Sequence, residues 1–138
     1  MVLALDWGAR RIGVAVGDLE VRVAHPIAVL QPTTRVSDLA LLKLLVDEWH
    51  PVALAVGLPA AADGGKHPAA TQCRAFGNRV ARHFGLPLHW VDEELSSWAA
   101  DQLLQPSYRQ WRDRKTQLDA VAAQQILETF FERIAGPA

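Results

Sequence analysis

The sequence predicts an α/β domain with a five-stranded mixed sheet flanked by helices, in which an antiparallel three-strand meander is joined to parallel strands. Two patterns lead to this prediction: three short apolar runs open the chain without a helix between them, and later apolar runs alternate with segments of helical periodicity. The 138 residues, 50% of them hydrophobic, suffice for one core without disulfides or structural metal. A single domain is therefore expected to span residues 1–138.

The first three apolar runs predict the meander. The run from Val2 to Leu5 forms a strand that ends in Asp6-Trp7-Gly8, and Ile12 to Val16 supplies the second strand after a brief turn. The third strand, Val21 to Leu30, contains Pro26, which cannot donate to a hydrogen-bond ladder. An edge position in the sheet is therefore expected for this third strand.

The remaining elements alternate between helix and parallel strand, because the hydrophobic period changes between helical spacing and continuous apolar runs. In chain order they are a helix from Val36 to Trp49, a strand from Val52 to Leu58, a helix from Cys73 to Phe84 closed by Gly85, a strand from Leu86 to Val91, a helix capped by Ser96 or Ser97 that runs through Leu104, and a final helix from Thr116 to about Ile134. A polar stretch from Pro106 to Arg114 is expected to connect the last two helices.

Composition restricts the class of protein. The formal net charge of −1 argues against a protein that holds nucleic acid by overall charge, so any nucleic-acid contact must be local. Two local basic groups exist, Arg10 with Arg11 and the stretch from Arg109 to Lys115, and either could also be solvated surface charge. The single cysteine and the lack of an apolar run of membrane-spanning length predict a cytoplasmic protein without membrane contact. The sequence leaves the oligomeric state open between a monomer and a homodimer.

Acidic residues follow the predicted parallel strands, whose carboxyl ends share one edge of the sheet. Asp6 follows the first strand and Asp92-Glu93 follow the last, while Asp119 lies on the final helix beside small alanines that let it approach the sheet. Each acid also has a purely structural interpretation. Asp6 could start a turn, and Asp92-Glu93 could stabilise a helix N-terminus. Asp119 could pair with Lys115, although that order of charges along a helix contributes only a few tenths of a kcal/mol.

A cluster of carboxylates predicts a site for a hard divalent cation, Mg²⁺ or Mn²⁺, and the chemistry that matches two such ions is phosphodiester hydrolysis. Asp6, Glu93 and Asp119 are the expected catalytic residues, and Asp92 is an alternative or additional metal ligand to Glu93. The cations expected to bind the phosphates of a nucleic acid are Arg10, Arg11, Arg112, Arg114 and Lys115.

Four segments together resemble the YqgF/RuvX family. They are residues 5–18 (LDWGARRIGVAVGD), Val56-Gly57-Leu58-Pro59 followed by Asp63-Gly64, Val91 to Ser96, and Lys115 to Asp119 followed by Ala122-Ala123 and Ile126-Leu127. The resemblance covers nearly the whole chain in the same order. It implies an RNase H-like fold, with Asp6, an acid of the Asp92-Glu93 pair and Asp119 in the positions of the family's metal-binding acids.

The same resemblance implies a nuclease that processes the 5′ end of pre-16S ribosomal RNA, with structured RNA and a ribosome precursor as partners. A Holliday-junction-type resolvase acting on branched DNA is the alternative activity in that family. Three departures concern substrate binding: Glu94 stands where the family usually has arginine, Ala61 where it has asparagine before Asp-Gly, and Gly17 where it has serine. The departures leave the acids in place.

Two alternative hypotheses assign the chain to a class other than the nucleases. Asp6-Trp7-Gly8-Ala9 also resembles the phosphate-binding hairpin of actin-like ATPases, but those proteins close a nucleotide between two such domains, and this chain has room for one. The other reading is a non-catalytic nucleic-acid-binding or ribosome-assembly module that uses Arg10, Arg11 and the stretch from Arg109 to Lys115 without cleavage.

Overall fold

A computed structural model describes residues 1–8, 10–58, 68–92 and 111–135. Its elements are β1 (Val2–Trp7), β2 (Ile12–Gly17), β3 (Ala24–Leu30), α1 (Asp38–Trp49), β4 (Ala53–Leu58), α2 (Pro68–Phe84), β5 (Leu88–Asp92) and α3 (Trp111–Ala135). The predicted helix from Ser96 or Ser97 to Leu104 lies outside the described residues, as do Glu93, Glu94 and Ala61. None of the helices in the described ranges is both long and apolar enough to cross a membrane.

The five strands form one mixed sheet in the order β3-β2-β1-β4-β5. Strands β1, β2 and β3 pair antiparallel in sequence order, while β4 pairs parallel with both β1 and β5. This arrangement confirms the predicted meander with parallel strands beside it. It also places β3, with its Pro26, at the edge of the sheet, where a missing backbone N–H is tolerated.

Several element boundaries differ from the sequence prediction: α2, for example, begins at Pro68 and not at Cys73, and β5 begins at Leu88 and not at Leu86. Three further differences have a local reason. Strand β3 begins at Ala24 and not at Val21, because the Asp18 carboxylate accepts backbone hydrogen bonds from Glu20 (2.6 Å) and Val21 (3.2 Å) and holds a turn there. These hydrogen bonds also lower the pKa of Asp18.

The two helix boundaries shift for different reasons. The Ser37 hydroxyl accepts a hydrogen bond from Ala40 N at 3.1 Å, so α1 begins at Asp38, directly after this N-cap. Helix α3 begins at Trp111, so the predicted polar connection from Pro106 to Arg114 was wrong over its last four residues. Arginine, lysine and glutamine are good helix formers, and their lack of apolar periodicity hid the first turns of the helix.

The sheet separates two hydrophobic cores. Large side chains of the central strands, Leu3 and Leu5 among them, face α1 and α2 and pack with Leu42, Phe76 and Val80. Small side chains of the same strands face α3, where Ala123, Ile126, Leu127 and Phe130 supply the bulk of the core. Because side chains alternate along a strand, one face of the sheet is built for close contact with a single long helix.

Glycines on β2 set how closely α3 approaches the sheet. A Cβ atom at Gly13 would overlap the backbone carbonyl group of Asp119 and lie 3.1 Å from Ala120 N. A Cβ atom at Gly17 would lie 2.8 Å from the Phe131 ring. With Ala15 between them, these residues leave a shallow channel into which the helix backbone fits.

We predict that Gly13→Ala destabilises the protein by about 3 kcal/mol, because the added methyl group forces α3 away from β2. Gly85→Ala is the control, since Gly85 has φ +66° and open space around a Cβ atom. That change should cost only about 1 kcal/mol, the strain of a left-handed alanine. Urea denaturation of both variants tests the prediction, and equal losses of stability would contradict it.

The pKa of the Glu128 carboxyl group is raised from its ordinary value. Partial burial on α3 is the main cause, and the charge of Glu132, one helical turn away, adds to it. The carboxyl group therefore binds its proton more tightly in the folded protein than in the unfolded chain. As pH rises above the usual pKa of 4.5, ionisation of Glu128 lowers the free energy of unfolding.

We predict that Glu128→Gln raises the free energy of unfolding by about 0.3 kcal/mol at pH 7 and changes it little at pH 3.5. Glu48→Gln on α1 removes the charge of an exposed glutamate and serves as the comparison. Denaturation midpoints of both variants across this pH range provide the measurement. A loss of stability at pH 7 in Glu128→Gln would mean that its charge stabilises the fold.

Candidate metal and nucleic-acid site

Asp6 lies at the carboxyl end of β1 on the side of the sheet that faces α3. Leu3 and Leu5 belong to the core under α1 and α2, whereas Val2 and Ala4 belong to the core under α3. Alternation along the strand therefore places Asp6 with the second set. Its partner in the antiparallel ladder is Gly13, and its side chain is half-buried.

Asp119 reaches the same place from the other end of the chain. The backbone of α3 at Asp119 lies directly on Gly13, the residue that pairs with Asp6. Paired residues in an antiparallel ladder present their side chains on the same face of the sheet. Gly13, which has no side chain, therefore leaves the space beside Asp6 to the helix segment that carries Asp119.

Arg11 provides a cation at this position. Its Nε lies 3.0 Å from Asp119 Oδ2, in an ion pair whose two side chains are 24% and 28% exposed. The Oδ2 atom itself is shielded from solvent. Arg11 is held by the hairpin turn, in which Gly8 N donates to the Arg11 carbonyl at 2.9 Å. A Cβ atom at Gly8 would lie 2.9 Å from that carbonyl oxygen, so the tight turn requires glycine.

A groove of about 410 Å³ opens beside this ion pair. Its lining consists of Arg10, Arg11, Gln31, Pro32 and Thr33. Ile12 at the start of β2 pairs with Leu30 at the end of β3, so these lining residues lie at the same edge of the sheet as Asp6. The predicted basic pair of the hairpin thus borders the candidate site.

The other predicted site residues stand differently. Asp92 ends β5, is 72% exposed, and has its Oδ2 atom 3.9 Å from Arg133 Nη2. Across the residues that the structure describes, no three acidic, histidine or cysteine side chains are close enough to hold a metal ion together. Asp92 therefore does not complete a three-ligand group with Asp6 and Asp119, and Glu93 lies outside the described residues.

Arg112, Arg114 and Lys115 belong to the first two turns of α3. They precede Asp119 on the same helix by four to seven residues, so the close contact at Gly13 also fixes where this basic segment starts. The sequence analysis predicted a loop at Arg112 and Arg114, and the structure places both in the helix.

Three contributors to the site were not predicted from the sequence. Gly13 lies in a predicted strand, and the run Gly13-Val14-Ala15-Val16-Gly17 alternates small and large residues, a pattern that could have indicated close helix contact. Gln31 and Thr33 carried no signal, because they join the groove only through the register of β3 against β2.

The side chains gathered here suit a divalent cation such as Mg²⁺ or Mn²⁺. Asp6 and Asp119 supply hard carboxylate oxygens from two elements that the sheet holds in fixed relation. Carboxylate oxygens are the ligands that these hard cations prefer over histidine nitrogen or cysteine sulfur.

The fold of this chain is similar to that of solved structures. Solved structures of Thermus thermophilus RuvC are similar to this chain: one, determined in complex with a Holliday junction substrate, aligns with a TM-score of 0.59 at 14% identity and covers 98% of this chain and 95% of RuvC. A second RuvC structure gives a TM-score of 0.57, also at 14% identity, and covers 98% and 96% of the two chains. At this identity the likeness shows the fold, which is RNase H-like.

Sequence comparison identifies the family. The RuvX family, described as "Holliday junction resolvase", matches residues 1–133, and the chain belongs to it. Relatives named "Putative pre-16S rRNA nuclease" include one from Neisseria meningitidis serogroup B (strain MC58), 45% identical over 99% of this chain and 89% of the relative. Another, from Methylobacillus flagellatus, is 40% identical over 97% and 92% of the two chains. The resemblance read from the sequence is confirmed, and with it the nuclease class.

We predict that Arg11 and Asp119 stabilise the metal-free protein as a pair. In EDTA, a double-mutant cycle with Arg11→Gln and Asp119→Asn should give a coupling energy of about 1 kcal/mol in urea denaturation, because both side chains are only partly exposed. The same cycle at Lys43 and Asp47, whose side chains are at least 60% exposed, should give about 0.3 kcal/mol. A zero coupling at Arg11 and Asp119 would rule out the pair in solution.

Proposed function

We propose that this protein is a metal-dependent nuclease that processes the 5′ end of pre-16S ribosomal RNA, with Asp6 and Asp119 holding Mg²⁺ or Mn²⁺. The observation that carries the proposal is the contact at Gly13, which brings the helix segment of Asp119 beside Asp6 at the carboxyl ends of the parallel strands. Ligand sites of α/β sheets lie at this edge. Glu93 is the third acid of the proposal, and Asp92 is left as a minor ligand because it is solvent-exposed and near Arg133.

The reaction proposed is hydrolysis of a phosphodiester bond, in which a water oxygen attacks phosphorus and the bond to the leaving ribose oxygen breaks. A divalent cation, when bound, makes that water more acidic and offsets charge on the leaving oxygen. The protein's own task is to hold the acids in place and to neutralise the phosphates on either side of the cleaved bond. Arg10 and Arg11 do so from the hairpin turn, and Arg112, Arg114 and Lys115 from the first turns of α3.

Ribosomal RNA is the preferred substrate in this proposal, because relatives that share 40–45% of residues over nearly the whole chain carry that name. Branched DNA is a second candidate, supported by the description of the family and by the RuvC fold. Both substrates present phosphates to the same cations, so the acids and the cations have the same roles in either case. A non-catalytic nucleic-acid-binding module is a third candidate. The observation that favours it is Glu94, an anion where the family usually has arginine.

We predict that Asp6→Asn lowers the rate of cleavage by at least about 100-fold while leaving RNA binding in place, because the amide is a poor ligand for Mn²⁺. The assay compares a pre-16S RNA fragment and a four-way DNA junction with Mn²⁺ present, and cleavage products are separated on a sequencing gel. Asp47→Asn on α1 is the matched control, since it makes the same chemical change at an exposed carboxylate that pairs with Lys43.

The outcomes separate the candidates. Cleavage of RNA but not of the junction supports the proposal, and the reverse supports the resolvase. Equal cleavage by wild type and Asp6→Asn would exclude Asp6 from the chemistry. Binding of RNA without cleavage by the wild-type protein would favour the module.

A further inference from the structure

Arg11 belongs both to the ion pair with Asp119 and to the lining of the groove. Its Nε lies 3.0 Å from Asp119 Oδ2, and its side chain also lines the groove of about 410 Å³ next to that carboxylate. Both side chains of the ion pair are partly exposed, at 24% and 28%, and the shielded part is the Asp119 Oδ2 atom that Arg11 covers. Arg11 thus lies between an acid of the proposed metal site and an open groove.

A guanidinium and a divalent cation cannot both stay on one carboxylate oxygen without strong repulsion. Two like charges about 4 Å apart repel by several kcal/mol at the effective dielectric constant of a protein surface, and a doubly charged ion doubles that figure. If a divalent cation binds Asp119 Oδ2, Arg11 must therefore leave it. The nearest open volume that its side chain already lines is the groove.

The groove has the lining expected of a phosphate subsite. Arg10 and Arg11 supply positive charge, Gln31 supplies an amide, and no acidic residue is found among the described residues that line it. Its outer wall is a structured loop, because Thr33 Oγ1 accepts from Arg35 N at 3.2 Å and from Val36 N at 3.0 Å. Thr33 N also donates to the Val36 carbonyl at 2.9 Å. The wall is therefore partly preorganised for a ligand, which reduces the entropy lost on binding.

We propose that Arg11 exchanges partners: it holds Asp119 in the metal-free protein, and it binds a substrate phosphate in the groove once a divalent cation occupies Asp119. The groove is then the subsite for the phosphate next to the cleaved bond, with Arg10 and Gln31 as its other contacts. This inference rests on the proposed nuclease function for its ligand, a polynucleotide. Its consequence is coupling, since the metal makes Arg11 available to phosphate and phosphate draws Arg11 away from the metal's ligand.

The first experiment measures Mn²⁺ binding alone, by isothermal titration calorimetry without nucleic acid. Arg11→Gln should bind Mn²⁺ about fivefold more tightly than Arg10→Gln, because Arg11 is paired with Asp119 and therefore competes with the cation for that carboxylate. The two variants lose the same charge at neighbouring positions of the same groove, so a general electrostatic effect is matched between them. Equal Mn²⁺ affinities for Arg11→Gln and Arg10→Gln would overturn the exchange.

The second experiment measures RNA binding in EDTA, by fluorescence anisotropy of a labelled RNA hairpin. Asp119→Asn releases Arg11 without metal and should tighten binding about fivefold relative to wild type. In an Arg11→Gln background the same change should give no gain, whereas in an Arg10→Gln background the gain should persist. A gain from Asp119→Asn that survives in the Arg11→Gln background would mean that simple charge removal explains it, and the exchange would be wrong.

The groove is tested with Gln31→Ala, which should weaken hairpin binding about threefold, against Thr34→Ala, an exposed neighbour that does not line it. Equal binding by these two variants would remove the groove from the proposal. Failure of the nuclease proposal has a different signature: the wild-type protein would cleave neither RNA nor the DNA junction with Mn²⁺ present, while the difference in Mn²⁺ affinity between the two arginine variants would still report on the pair at Asp119.

Discussion

The contact between the backbone of α3 at Asp119 and the bare Cα of Gly13 is the constraint on which the site depends. Asp6 and Asp119 are separated by more than a hundred residues, and the sheet alone would leave the helix a side chain's width away. Because Gly13 is also the ladder partner of Asp6, the point of closest approach is the point where the acids are needed. Gly17 repeats the close contact farther along β2, against Phe131, so the helix is held at two places.

Bringing carboxylates to one edge of a sheet has an electrostatic cost, and the structure shows how part of it is offset. Arg11 comes from the same hairpin turn as Asp6 and lies on Asp119, so the helix and the turn are tied by charge as well as by packing. A divalent cation would serve the same purpose with more charge. In the exchange proposed above, the arginine is both a stabilising partner of the metal-free site and the residue that a bound metal ion displaces.

The sequence was a good guide to the order of elements and a weaker guide to contacts between them. The meander and the parallel strands follow from short-range patterns, and the structure confirms them. The start of α3 at Trp111 was not predicted, because apolar periodicity indicates only the part of a helix that packs on the sheet. Asp6 and Asp119 could be paired from the topology, yet the groove residue Gln31 depends on the register of β3, and the pairing of Arg11 depends on a turn geometry that no spacing rule gives.

Metal binding by the two acids is tested by a crystal structure of the protein soaked with Mn²⁺, with the ion located by its anomalous scattering. We expect an Mn²⁺ ion bound by carboxylate oxygens of both Asp6 and Asp119, with Arg11 moved from Asp119 toward Gln31. An ion bound elsewhere, at Asp92 for example, or an ion that leaves the pair of Arg11 and Asp119 intact, would contradict it.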